Sequence, residues 1–157
     1  MKILLAVDGS APALAAVRHA LALVDDGLAA SFVLVNVQAP PSLYEVVVAH
    51  DADVIDQVRA AAGADLLLSA QAMLAAAGVE HEVEVAGGEA ARTLVDLIEN
   101  HRCDAVFVGA RGLGQPEASG IGSVTEDLLL HSPVPVTVVR HTASTEGVDD
   151  ALDDLEA

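Results

Sequence analysis

The residues best suited to chemistry in this 157-residue sequence lie in one stretch, Gly109-Ala-Arg-Gly-Leu-Gly-Gln-Pro-Glu-Ala-Ser-Gly-Ile-Gly122-Ser123-Val124. The apolar run Ala105–Val108 ends where this stretch begins, and a short helical pattern from Ser123 to Leu130 starts where it finishes. Glycines let backbone come close to a ligand, with N–H groups directed into the gap. At a helix start the N–H groups of Gly122, Ser123 and Val124 have no intrahelical acceptor, and the helix dipole favours an anion there. Ser123 adds a hydroxyl donor. That chemistry is a phosphate cradle; the competing reading is a glycine loop that serves only a tight turn. The stretch is not a Walker A loop, since no Lys follows its glycines. Nor is it the dinucleotide fingerprint, which belongs after a first strand with different spacing.

Other candidate chemistries find less support. Asp8 closes the apolar run Ile3–Val7, but it lacks the neighbouring acids that a magnesium phosphotransfer site needs at that strand end. Its plainer reading is a cap for the following helix. The six His residues are scattered, with no pair at metal-ligand spacing. Ser10, Ser119 and Ser123 have no readable His-Asp partners, so no hydrolase triad is expected. No general base for water is identifiable, which leaves a slow ATPase as the most that could be expected of an enzyme. Cys103 is the only cysteine, so an internal disulfide is impossible and the residue reads as small buried packing.

Composition narrows the partners. The formal net charge is −17, and six of the 24 acids lie after His141, where no Lys or Arg occurs. Such a surface opposes nonspecific binding to nucleic acid, which needs cations against phosphates. It serves instead to keep an Ala-rich chain in solution. No apolar run approaches the roughly 20 residues of a membrane helix, and the N-terminus lacks the pattern of a secretory signal, so a cytoplasmic location is expected. With two Phe, one Tyr and no Trp, the core must be filled by small aliphatic side chains.

The elements that must position the loop alternate regularly. Ile3–Val7, Phe32–Val37 and Ala105–Val108 are continuous apolar runs, the mark of strands covered on both faces. His81–Val85 alternates and suits a strand near a sheet edge with one wet face. Val134–Val139 reads as a closing strand, entered through Pro133 and Pro135 and therefore at an edge. Helices are expected from about Pro12 to Gly27 with Ser10 as cap, from Asp51 to Ala77, from Gly88 to His101, and from Ser123 to Leu130. Gly63 inside the second of these marks a bend or a close contact. Residues 40–50 stay open between strand, helical turn and flap. Four βα units and a closing strand predict an α/β fold: a doubly wound, five-stranded parallel sheet with helices on both faces. One domain is expected over residues 1–141, followed by an acidic tail over 142–157 whose charge and lack of bulk suggest disorder.

The loop resembles that of the universal stress proteins that bind ATP. Their pattern is Gly, two residues, Gly, nine residues, Gly, then Ser or Thr, and it is met by Gly109, Gly112, Gly122 and Ser123. Ile3–Ser10 resembles the family's first strand and turn, and Pro133–Val139 its closing strand. The resemblance implies strand order 3-2-1-4-5 and a crevice at the switch point of that sheet. It implies ATP, with Mg2+, as ligand: Asp8 near the ribose, the Val37 backbone on adenine, and Gly109, Gly112, Gly122, Ser123 and Val124 on the phosphates, with Arg111 in reach. It also implies a homodimer through the C-terminal strand and a role in stress response or signalling. The alternative is a family member without nucleotide that serves as a dimeric interaction scaffold. The nine-residue insert, which often carries Lys or Arg in the family, here holds Gln115, Pro116 and Glu117.

Overall fold

In the computed structural model, residues 1–113 and 120–141 are described; the part of the loop that bears Glu117 and the acidic tail lie outside them. Strand β1 (Lys2–Ala6) is the centre of the molecule, because its Ile3, Leu4 and Leu5 side chains have no exposed surface at all. Successive side chains of a strand point to opposite faces, so such a run is stable only with cover on both. Helix α1 (Ala11–Asp25) follows. Ser10 caps it by accepting the Ala13 N–H at 3.3 Å, and Pro12 sits in the first turn, where a missing N–H costs nothing.

Strand β2 (Ser31–Gln38) pairs parallel to β1, with Leu5 opposite Leu34. Residues 43–49 form a short helix, α2 (Leu43–Ala49), none of whose residues is buried. It exists because Ser42 and Glu45 make a reciprocal capping box, which satisfies donors that a short helix otherwise leaves open. Helix α3 (Ala52–Ala76) begins at the Asp51 cap and leads to β3 (His81–Gly87). Helix α4 (Ala90–Asn100) is capped by the Glu89 carboxylate. Strand β4 (Ala105–Gly109), α5 (Ser123–His131) and β5 (Val136–Val139) complete the described chain.

The five strands form one parallel sheet in the order β3-β2-β1-β4-β5, with helices packing around it. Two apolar layers cover its faces. Ile3 and Leu5 join Val17 and Ala20 of α1 and Leu67 and Leu74 of α3; Leu4 and Val106 join Leu94 and Ile98 of α4 and Leu128 of α5. The small residues Ala13, Ala16, Val17 and Ala20 let α1 sit close to the sheet, as an aliphatic core without large rings requires.

One expectation is corrected and one is sharpened. The closing strand starts at Val136 and not Val134, because Pro135 cannot donate to the ladder and Ser132 holds the Val134 carbonyl in a local turn at 2.7 Å. Strand β3 is the expected edge strand, and its polar side carries Glu82 and Glu84. Glu84 contacts His101 Nε2, Glu82 lies 3.3 Å from His101 Nδ1, and Lys2 lies 3.5 Å from Glu82, so this edge carries a charge cluster. Among the described residues, no helix is long and apolar enough to cross a membrane.

Candidate functional site

Where β1 and β4 lie side by side, their following helices leave toward opposite faces, and a crevice must open at the carboxyl ends of the strands. It does, with a volume of about 230 Å³. All eight residues expected to bind line it: Asp8, Val37, Gly109, Arg111, Gly112, Gly122, Ser123 and Val124. They come from the ends of three strands and the first turn of α5, which the topology alone brings together.

The carboxylate of Asp8 ties two of these segments. Oδ1 accepts the Ser10 N–H at 2.9 Å, and Oδ2 accepts the Leu113 N–H, also at 2.9 Å. The cap of α1 is therefore Ser10, and Asp8 instead fastens the start of the glycine loop to the turn after β1. Each carboxylate oxygen has a second lone pair, so these bonds leave acceptor capacity toward the crevice.

Two of the glycines have a cause inside the protein. A Cβ on Gly109 would lie 2.7 Å from the Pro12 carbonyl carbon and 2.8 Å from the Ala13 nitrogen, so the end of β4 fits against the first turn of α1 only without a side chain. A Cβ on Gly112 would lie 2.5 Å from Asp8 Oδ2. At both positions the missing side chain serves packing of the protein on itself, and both glycines also line the crevice.

Gly122 differs. It is the N-cap of α5 and offers no side-chain hydrogen bond. Its own N–H donates to the Ala110 carbonyl at 2.8 Å, and its carbonyl accepts from Glu126 at 2.9 Å. The first turn of α5 thus presents its N–H groups and the positive end of its dipole at the crevice, with no capping side chain over them among the described residues. Thr125, which carries no motif signal in the sequence, donates its hydroxyl to the Gly109 carbonyl at 2.8 Å in a buried bond. That bond holds the α5 terminus against β4. The β2 wall adds Val35 and Asn36 next to Val37, and α4 adds Ala90 and Leu94, so one side of the crevice is apolar.

The fit to a nucleotide follows from this donor set. An apolar wall suits a base, and an uncapped helix terminus suits a phosphate. Among the described residues, Asp8 is the one carboxylate of the lining, and no group of three or more His, Cys, Asp or Glu able to hold a metal occurs. A magnesium ion would accordingly be held mainly by a ligand's phosphates, as that cation commonly is. Away from the crevice, burial pushes the Cys103 thiol up, which suits inert packing.

An open parallel sheet with a crevice at its switch point and a helix terminus aimed into it defines the class, a doubly wound α/β domain of the Rossmann-like kind. Within that class the Universal stress protein family matches residues 1–140, and the chain belongs to that family. A universal stress protein from Lactobacillus plantarum is 25% identical, with a TM-score of 0.73 over 89% of this chain and 97% of that one. An Arabidopsis thaliana family member solved with AMP bound is 20% identical, with a TM-score of 0.66 over 96% and 98% of the two chains. A universal stress protein solved in complex with cAMP is also 20% identical, with a TM-score of 0.60 over 90% and 98%. At that identity the last two show likeness of fold alone. No curated protein matches the chain.

Proposed function

We propose that the crevice binds an adenine nucleotide, ATP with Mg2+ carried on its phosphates, and that the protein acts through this occupancy in stress response or signalling. The observation that carries the reading is the uncapped first turn of α5, which faces a crevice whose other wall is apolar. Phosphate would take the N–H groups of Ser123 and Val124 and the Ser123 hydroxyl, with the Arg111 side chain on the same rim. Ribose hydroxyls would donate to Asp8, and the base would lie against β2 at Val37. The AMP and cAMP complexes of fold relatives support the choice of ligand class. No residue is assigned to hydrolysis.

A homodimer through β5 belongs to the same proposal. This strand is an edge of the sheet, all four of its residues are half-buried, and a second copy would cover the open ladder. The scaffold alternative, a dimer without nucleotide, draws on one observation: Arg111 is the single Lys or Arg among the lining residues of a chain with net charge −17. Two experiments separate these readings. Heat-denatured protein, purified without added nucleotide, should release an adenine nucleotide on anion-exchange chromatography, and light scattering should give twice the mass of 16.0 kDa at micromolar concentration. A monomer throughout that range would remove the dimer; absence of nucleotide together with no uptake of added ATP would leave the scaffold.

A further inference from the structure

Asn36 is 2% exposed, one of few buried polar residues among those described, and its surroundings account for its amide in detail. Its Nδ2 donates to the Val7 carbonyl at 2.9 Å, and its Oδ1 accepts from Gln38 Nε2 at 2.7 Å. Val7 lies one residue beyond β1. Its N–H still bonds to the Val35 carbonyl at 2.8 Å, but its carbonyl points where the β1 ladder has ended. A buried carbonyl left unpaired costs free energy comparable to a lost hydrogen bond, so the Asn36 amide stands in for the ladder bond that Val7 lacks.

The amide is also held from behind. Gly63 of α3 passes so close that a Cβ there would lie 2.9 Å from Asn36 Oδ1 and would overlap Val85 Cγ1. The Val7 carbonyl can only accept, so it sets which end of the amide faces it, and Gln38 Nε2 meets the oxygen that remains. The next residue after Val7 is Asp8, which fastens Ser10 and Leu113. A chain of hydrogen bonds therefore runs from Gln38 through Asn36 and Val7 to the turn that carries the crevice carboxylate.

We propose that Asn36 is a positioning residue for this crevice: through the Val7 carbonyl it sets the turn at Asp8, and through Asp8 the start of the glycine loop. Its effect on ligand affinity rests on the nucleotide reading above; its effect on the turn does not. Gln38 acts behind it by holding the amide oxygen in place.

Amide hydrogen exchange of the ligand-free protein, paired with titration of AMP, tests this on Asn36→Leu and on the milder Gln38→Met. Asn36→Leu keeps the side-chain size and removes both bonds. It should speed exchange at the Ser10 and Leu113 amides by roughly fivefold or more, the scale of one lost hydrogen bond, while β3 and α4 keep their protection. Gln38→Met should do the same to a smaller degree, and it decides alone if Asn36→Leu fails to fold. AMP affinity should fall in the same order. Exchange that rises evenly over the whole chain, or not at all at Ser10 and Leu113, would reduce Asn36 to ordinary core packing and overturn the proposal. So would AMP binding that is equally tight in wild type and both variants. If the local exchange changes as expected but wild type takes up no AMP, the positioning role stands and the nucleotide reading falls.

Discussion

Two hollows of nearly equal size mark this molecule, about 230 Å³ at the switch point and about 250 Å³ between α2 and α3. The first is walled by strand ends, an uncapped helix terminus and a carboxylate that already bonds two backbone amides. The second is lined mainly by Tyr44, Val48, Val54, Ile55 and Val58, with Arg59 4.0 Å from Glu45 as its only ion pair among the described residues. Leu43 is 84% and Val47 63% exposed on the same short helix. Size does not separate the two hollows; convergent polar groups on rigid elements do. The crevice residues are fixed by contacts between segments far apart in sequence, whereas α2 is held by a cap four residues long. A substitution that breaks one of these contacts should therefore act on the whole fold, and one in α2 only locally.

The largest effect is expected at Gly109. Gly109→Val forces atoms against backbone of α1 that cannot yield as a side chain does, so it should cost about 1–3 kcal/mol or more in chemical denaturation. An unchanged midpoint would show that β4 and α1 are not in the close contact described. Thr125→Val comes next. It keeps the shape, loses the hydroxyl donated to Gly109, and leaves a buried carbonyl unpaired, for an expected loss of about 1–3 kcal/mol.

The smallest effects belong to α2. Ser42→Ala removes the capping box at a local cost of about 1 kcal/mol. Since no residue of α2 is buried, the global denaturation midpoint should move by less than about 0.5 kcal/mol. A shift as large as that of Gly109→Val would erase the contrast between the two regions. Acid should act on the same cap. The Ser42 backbone N–H and then its hydroxyl hold the Glu45 carboxyl below its ordinary value, with the Arg59 charge adding to this. A carboxyl so lowered supports the helix above its unfolded pKa, and the support is lost as pH falls through the folded one. The Ser42 amide resonance should thus move on acidification below the ordinary carboxyl range, before the Leu5 and Leu34 amides of the sheet respond.

The same contrast explains what could be read from the sequence. The buried runs at Ile3–Val7, Phe32–Val37 and Ala105–Val108 announce a parallel sheet because strands covered on both faces need no alternation. The glycine loop lies between a strand and a helix, so its crevice location follows from topology, and the eight expected residues do meet there. The capping signal Ser42-x-x-Glu45 was present, but the Pro40-Pro41 break before it and the valines after it fit a strand equally well, and residues 40–50 stayed open. Thr125 and Asn36 were invisible for a different reason. Their partners, Gly109 and Val7, are 16 and 29 residues away, and only the folded sheet brings them within a hydrogen bond. The packing role of Gly109 and Gly112 was equally out of sight, since a missing side chain has the same signature whether the neighbour is a ligand or the protein's own α1 turn and Asp8.

The central claim, that the open terminus of α5 is a phosphate site, can be tested by closing it. Gly122 has a φ of −65° that any residue adopts, so Gly122→Asp should seat a carboxylate as N-cap over the same N–H groups without backbone strain. Calorimetric titration of ATP with Mg2+ should show saturable binding to the wild-type protein, weaker binding to Asp8→Ala, and none to Gly122→Asp, while the melting temperature of Gly122→Asp stays level or rises. ATP binding to Gly122→Asp with wild-type affinity would contradict the account, because phosphate could not then be held where the structure leaves the helix open.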